Sequence, residues 1–319
     1  MGALIGAIAV YMFFATFGGA KFIGEFGTAS WLNVFAELAI VALPVSLIMI
    51  AGDLDLSVGS VIAGSSMTMA IISGYYEMPT WIGLVAALIF GILVGLFNGL
   101  VITKTGLPSF IVTLASLFVV AGLTLGMTRL LTGTANIALE SDPLIKSMFG
   151  DFIDGKFAVG IFWTLAIALV IGWIQLSTKY GNWIYAIGGD VVSARAQGIP
   201  VAKVKVGLFM ASGFGAAFVG VLQTVTYNGA GVSKGQSFVF NSIIAVVIGG
   251  VLMTGGYGSV FGVLLGAFTF AVVNQGIYYT GWEADWASLI IGVLVLAAVL
   301  TNNTFRRLAL SAGSKKAKK

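Results

Sequence analysis

The chain of 319 residues carries 9% charged and 59% hydrophobic side chains, no histidine, no cysteine, and a formal net charge of +4. A soluble domain holds about 25% charged residues, so a globule of this composition would lack the charge that keeps it in water. Disorder, a disulfide scaffold, and metal sites or catalysis built on His or Cys are excluded together, and a mean hydropathy of +1.05 places the chain in a bilayer.

Apolar runs of about 17–25 residues cross a ~30 Å hydrocarbon core as helices. Ten are predicted, at 3–18, 31–51, 57–74, 80–102, 109–128, 157–177, 204–225, 238–253, 260–280 and 286–304. They are continuously apolar rather than alternating, which predicts an all-α bundle and not a barrel. The 44 glycines lie within these runs, where membrane helices tolerate and use them. The first run lacks a basic flank and a convincing cleavage site and is read as a retained helix. A single membrane domain is expected over 1–304, followed by a basic tail at 305–319. Neither the loop 129–156 nor the loop 178–203 is long enough for a separate domain of ~50 residues.

Charge bias orients the bundle. With the tail residues Arg306, Arg307, Lys315, Lys316, Lys318 and Lys319 in the cytoplasm, ten alternating spans add Lys104, Lys179, Arg195, Lys203 and Lys205 to that side. Only Lys21, Arg129, Lys146, Lys156 and Lys234 then face outward, so both termini are expected in the cytoplasm. Tyr75, Tyr76, Trp81, Tyr278, Tyr279, Trp282 and Trp286 fall at the outer interface, where amphipathic rings settle. The basic cluster at the C-terminus reads as attraction to anionic membrane lipid.

Three segments interrupt the apolar pattern. Residues 51–60 read Ala-Gly-Asp-Leu-Asp-Leu-Ser-Val-Gly-Ser, and a hairpin this short holds Asp53 and Asp55 against the membrane boundary. Asp55 and Ser57 are placed to cap the next helix, the alternative being a direct part in transport. Residues 249–259 read Gly-Gly-Val-Leu-Met-Thr-Gly-Gly-Tyr-Gly-Ser. A phosphate loop needs a lysine after its glycines, and none follows here. Two Gly-interrupted hairpins in the two halves point to a translocation pathway between them. In the third segment, 185–200, residues 190–197 are predicted to form a two-turn helix opened by Asp190 and ended by Gly198-Ile199-Pro200. Such a helix is marginal alone and needs something to dock against.

Polar residues inside spans include Asn33, Asn98, Thr113, Ser116, Gln223, Asn241, Asn274 and Gln275. They read as hydrogen-bonding glue between helices, or as a path for neutral polyols; Asn98, Thr113, Ser116, Asn241, Asn274 and Gln275 are the path candidates. Glu37, the one charge well inside a span, is expected to pair or snorkel.

These segments resemble the membrane permeases of carbohydrate-type ABC importers, the relatives that serve ribose, xylose, arabinose, galactose and the furanosyl autoinducer. Asp53 to Ser60, with Asp55, Ser57 and Gly59, is similar to their Gly-x-Asp-Leu-Ser-Val-Gly signature. Leu107 to Leu114 is similar to their Pro-Phe-Ile-Val-Thr-Leu stretch. Tyr185 to Gly189 with Ala194-Arg195 and Gly198-Ile199 is similar to their coupling segment, and Ala245 to Gly250 with Gly255 to Val260 to their late Gly-Gly hairpin. The coupling segment departs from the family's Glu-Ala-Ala, having Val192, Ser193 and Ala194, and Ala51 stands where a glycine is frequent.

The resemblance implies a non-enzymatic transport subunit, without cofactor, metal or nucleic acid, in the bacterial inner membrane. An ATPase subunit would dock through Gly188, Gly189, Asp190, Ser193, Ala194, Arg195, Gly198 and Ile199. A periplasmic sugar-binding protein would deliver the cargo, and a second permease copy, identical or related, would complete the pathway. ATP turnover on the partner would drive alternating access. The competing expectation is a secondary transporter coupled to ions through Asp53, Asp55 and Glu37.

Overall fold

The computed structural model describes residues 2–283, 285–293 and 296. It is a polytopic all-α bundle, with eight helices among the described residues long and apolar enough to cross a membrane. The order begins α1 (Gly2–Ile23), α2 (Glu25–Ile50), α3 (Val58–Ala70, continued by a π-turn to Tyr75), α4 (Thr80–Thr105) and α5 (Ser109–Thr132). After β1 (Asn136–Ala138), α6 (Pro143–Phe149), β2 (Phe152–Ile153) and β3 (Phe157–Ala158) come α7 (Gly160–Ser177), α8 (Lys179–Gly189), α9 (Val191–Ala196) and α10 (Val201–Thr226). The order then runs β4 (Gly229–Gly231), α11 (Phe238–Ile248) and α12 (Val260–Gly276). The strands are small ties between loops at one end: β1 pairs antiparallel with β4, and β2 with β3.

One expected span comes out differently. The run 238–253 is helical only over 11 residues. At 1.5 Å per residue that gives about 16 Å, roughly half a crossing. The helix stops because Gly249 packs on Gly262 and Gly250 turns left-handed at φ 88°. Of the run 286–304, residues 286–293 are helical, while 297–304 and the tail 305–319 lie outside the described residues. The segment 179–189, expected as loop, is the amphipathic helix α8, which buries Gly181, Ile184 and Ile187.

Lipid tails are as apolar as leucine, so helices here are held by packing and interhelical hydrogen bonds rather than by exclusion from water. The core is built accordingly. α2 is buried along most of its length, and α10 packs on α2, α3 and α4. Gly91, Gly95 and Gly99, one per turn of α4, face Gly213, Phe209 and Val206 of α10. A Cβ on Gly99 would stand 2.7 Å from the Val206 Cα, and one on Gly95 would run into the Phe209 carbonyl. α1, α5 and α7 are mostly exposed and form the rim.

The strand-bearing end is tied by polar contacts. The Asn33 side chain of α2 donates to the Lys156 carbonyl and accepts from the Ala158 amide, both at 2.9 Å. Lys146 donates to the terminal carbonyl of Val225 at 2.7 Å and to Asn228 Oδ1 at 2.9 Å, stopping α10 with a cation at its negative end. Lys156 pairs with Glu25.

Gly95→Ala is expected to destabilise the bundle by about 1–3 kcal/mol through overpacking, whereas Gly6→Ala, which meets nothing within 4 Å, is expected to be neutral. Thermal midpoints of the two variants in mild detergent check this; equal midpoints would remove the α4–α10 contact from the scaffold.

Candidate functional site

The hairpin between α2 and α3 carries the first signature, and its carboxylates are both engaged. Asp53 forms an ion pair with Lys205 at the start of α10, 2.7 Å from nitrogen to oxygen. Asp55 is 1% exposed and accepts three hydrogen bonds: from the Ser57 amide at 2.9 Å, the Ser57 hydroxyl at 2.6 Å and the Ser212 hydroxyl of α10 at 2.7 Å. A buried carboxylate is tolerated only with such donors. The expected cap takes another form. Asp55 receives the amide of Ser57, the N-cap residue itself, and the Ser57 side chain caps no amide of the first turn of α3. The Ser57 hydroxyl donates to Asp55 and accepts from a neighbouring helix rather than from an amide of α3.

The network continues outward. Asn98 of α4 donates to the Ser57 oxygen at 3.0 Å, and the Ser116 hydroxyl of α5 donates to the Asn98 carbonyl. Thr113 donates to the Leu54 carbonyl at 3.3 Å and Ser109 accepts the Leu54 amide at 3.0 Å. Asn98, Thr113 and Ser116 are therefore buried against the hairpin, joining α4 and α5 to it. Gly59 packs on Val239 of α11, with a would-be Cβ 2.5 Å from its side chain.

The three interrupted segments meet at one junction. The Gly256 amide donates to the Ile50 carbonyl at 2.8 Å, and the Tyr185 hydroxyl donates to the Gly258 carbonyl at 2.6 Å. Gly188 is wedged between them: a Cβ there would overlap the Ile50 carbonyl and stand 2.5 Å from the Gly256 nitrogen. Gly255, at φ 83°, presses on the Gly188 carbonyl and on Gly52. Val260, the first residue of α12, gives its amide to Gln175 of α7 at 2.8 Å.

Beyond the junction Asp190 caps α9, accepting the Ser193 amide at 2.6 Å, and Gly198 ends the turn at φ 79°. α9 is seated by Ala194, 1% exposed, and by the half-buried Ile199, while Val192, Ser193 and Arg195 are exposed. Gly189 meets nothing within 4 Å.

Toward the strand-bearing end, Glu37 accepts from Gln223 of α10 at 2.7 Å. Lys234 donates to the Gly229 carbonyl at 2.8 Å and lies over the Tyr227 ring; burial pulls its ammonium below the usual lysine range, with Glu37 opposing. Asn241 is half-buried on α11, and Gln275 donates to Asn274 at 2.9 Å on α12. The structure thus brings Asn98, Thr113 and Ser116 to the hairpin and leaves Asn241, Asn274 and Gln275 elsewhere. Sequence reasoning missed Lys205, Ser212 and Gln175. Ser212 and Gln175 carried no motif, and only the opposite charges of Asp53 and Lys205 at the same end hinted at that pair.

A family model described as branched-chain amino acid transport system / permease component matches residues 27–299. The ribose import permease protein of Escherichia coli is 29% identical over 269 residues, covering 83% of this chain and 82% of its own. The fructose import permease protein of Rhizobium meliloti is 29% identical over 297 residues, covering 91% and 81%. The ribose import permease protein of Bacillus subtilis is 32% identical over 285 residues, covering 84% and 83%.

Asp55→Ala strands the Ser57 and Ser212 donors and is expected to cost about 1–3 kcal/mol, Ser212→Ala less. Thermal midpoints check this, and an unchanged midpoint for Asp55→Ala would move that carboxylate from scaffold to pathway. The Asp190 carboxyl is held below its usual range by the Ser193 side chain and then by the Ser193 amide. A depressed folded pKa gives stability that is complete above the unfolded value and lost as pH falls through the folded one. Protection of the α9 amides, taken as the intrinsic exchange rate over the observed rate at each pH, should therefore be level from neutral pH down to the ordinary carboxylate range and fall only in stronger acid.

Proposed function

The chain belongs to the permease-component family of the branched-chain amino acid transport systems, and from that premise we propose that it is the membrane-spanning subunit of an ATP-binding cassette importer for a simple sugar. In this reading it resides in the bacterial inner membrane with both termini in the cytoplasm. A periplasmic binding protein supplies the sugar, a second permease copy completes the pathway, and a separate ATPase subunit does the hydrolysis. The names of the relatives support sugar as the cargo.

The observation that carries the reading is the junction of Ile50–Gly52, Gly188–Gly189 and Gly255–Gly258 at the end of α8, where the chain enters α9. α9 is a short exposed helix whose entry is locked to both broken hairpins. A rigid-body displacement of α9 by a partner would reach α2 through Ile50 and α12 through the 255–260 turn. That is the connection alternating access requires, a two-state element biased from a distant site. Val192, 73% exposed, and Arg195 present the face a partner would grip. Ion coupling through Asp53, Asp55 and Glu37 loses ground, because each carboxylate already holds a protein partner.

Purification with co-expressed subunits, followed by uptake of ribose, fructose and leucine into vesicles, tests the reading. The expected outcome is sugar uptake that needs ATP and a binding protein. Leucine uptake instead would shift the cargo to amino acids, and uptake driven by an ion gradient alone would overturn the importer. Val192→Glu with Arg195→Glu should abolish ATP-driven uptake while leaving the yield of folded protein unchanged, since neither side chain is buried.

A further inference from the structure

A cavity of about 500 Å³ lies where α7 ends and α10 begins, closed on one side by α8. Its walls are apolar, with Trp173, Ile184 and Leu208 among them. Gly207 opens the wall on the α10 side, since nothing stands within 4 Å of where its Cβ would be. Lys179 and Lys203 also line it, both exposed, one at the first residue of α8 and one in the first turn of α10. We propose that this groove is a binding site for an anionic phospholipid of the adjoining leaflet.

Three observations select that occupant. The Trp173 wall is continuous with the exposed Leu169 and Leu176 on the rim helix α7, so the groove opens onto the face that meets acyl chains. Its two cations sit at the ends of two spans, the level of lipid headgroups, and interfacial lysines attract anionic lipid. No acid lines the groove, and neither lysine forms an ion pair among the described residues. Lys179 instead lies over the Trp183 ring, 5.2 Å from its centroid. The nearby hairpin and coupling carboxylates are spoken for: Asp53 holds Lys205, Asp55 the two serines and Asp190 the Ser193 amide. A phosphate is the complementary group, and an acyl chain fills the apolar remainder. The inference needs only the membrane bundle, so its failure would leave the importer reading standing.

The test uses the full chain in phosphatidylcholine vesicles containing equal fractions of either phosphatidylglycerol or phosphatidylcholine with brominated acyl chains, which quench nearby tryptophan. Subtracting the Trp173→Phe variant isolates the Trp173 signal. Phosphatidylglycerol is expected to be enriched beside Trp173 by about fivefold for each lysine. Lys179→Gln with Lys203→Gln, both exposed and harmless to folding, should abolish the preference, and Gly207→Leu should reduce quenching by both lipids. Equal quenching by the two lipids, or a preference that survives loss of both lysines, would overturn the proposal. Absence of quenching by either would show the groove covered by protein and overturn it as well.

Discussion

Every other feature of this bundle depends on how closely α10 can approach its neighbours. In a bilayer that approach is the main source of helix association, because apolar side chains gain little by leaving lipid for protein. Three glycines on α10 give it three different neighbours. Gly213 admits α4, Gly215 admits α2 beside Pro44 and the Ile40 carbonyl, and Gly220 admits α3 beside the Ile62 carbonyl. At these distances short side chains can bridge backbones. Ser66 reaches the Gly220 carbonyl at 2.9 Å, and Ser212 reaches Asp55 at 2.7 Å. Larger residues at the glycine positions would separate the helices and leave both bonds too long to form.

The same economy governs charge. A carboxylate within the hydrocarbon region costs about 2.5–3.5 kcal/mol on insertion scales, and the bundle offsets that locally. Asp55 is served by hydroxyls and an amide, Glu37 by a primary amide, and Asp53 by a lysine at a helix start. The Asp53–Lys205 pair has a second consequence. Lys205 follows the 185–200 segment by only a few residues, so the pair ties the base of α10 to the hairpin that the end of α8 also abuts. The stretch from α8 to the base of α10 is therefore connected to the signature hairpin twice, once through Gly188 against Ile50 and once through Lys205 against Asp53.

What could be read from the sequence follows from which signals are local. Long apolar runs specify spans, and most appear within a few residues of their expected ends. Asp190 followed by Gly198 and Pro200 was enough to place α9, because caps and stops act on the nearest turn. The run 238–253 misled, since hydropathy is blind to a backbone that Gly249 and Gly250 break. α8 was missed because Lys179, Tyr180 and Gly181 read as loop chemistry, while its apolar face becomes visible only once α7 and α10 supply something to cover it. The junction of 50–52, 188–189 and 255–258 was legible only as three separate glycine clusters. Their meeting is a tertiary fact carried by backbone atoms, which leave no residue-type signature beyond the absence of a side chain.

The polar residues along the spans divide by how much hydrogen-bonding capacity they retain. Asn98, Thr113 and Ser116 are buried and bonded to the hairpin or to one another, so a passing hydroxyl group would have to displace an existing partner. Asn274 and Gln275 are half-buried, and among the described residues their side chains bond only to each other; Asn241 is half-buried on the short helix that stops at Gly249. In the proposed sugar-importer reading, a polyol exchanging its water for protein amides would meet least competition at this second group. The group sits on α11 and α12, the two elements that flank the late hairpin, and that hairpin is the one locked to Gly188. A displacement of that hairpin would therefore act on the two elements that carry these amides.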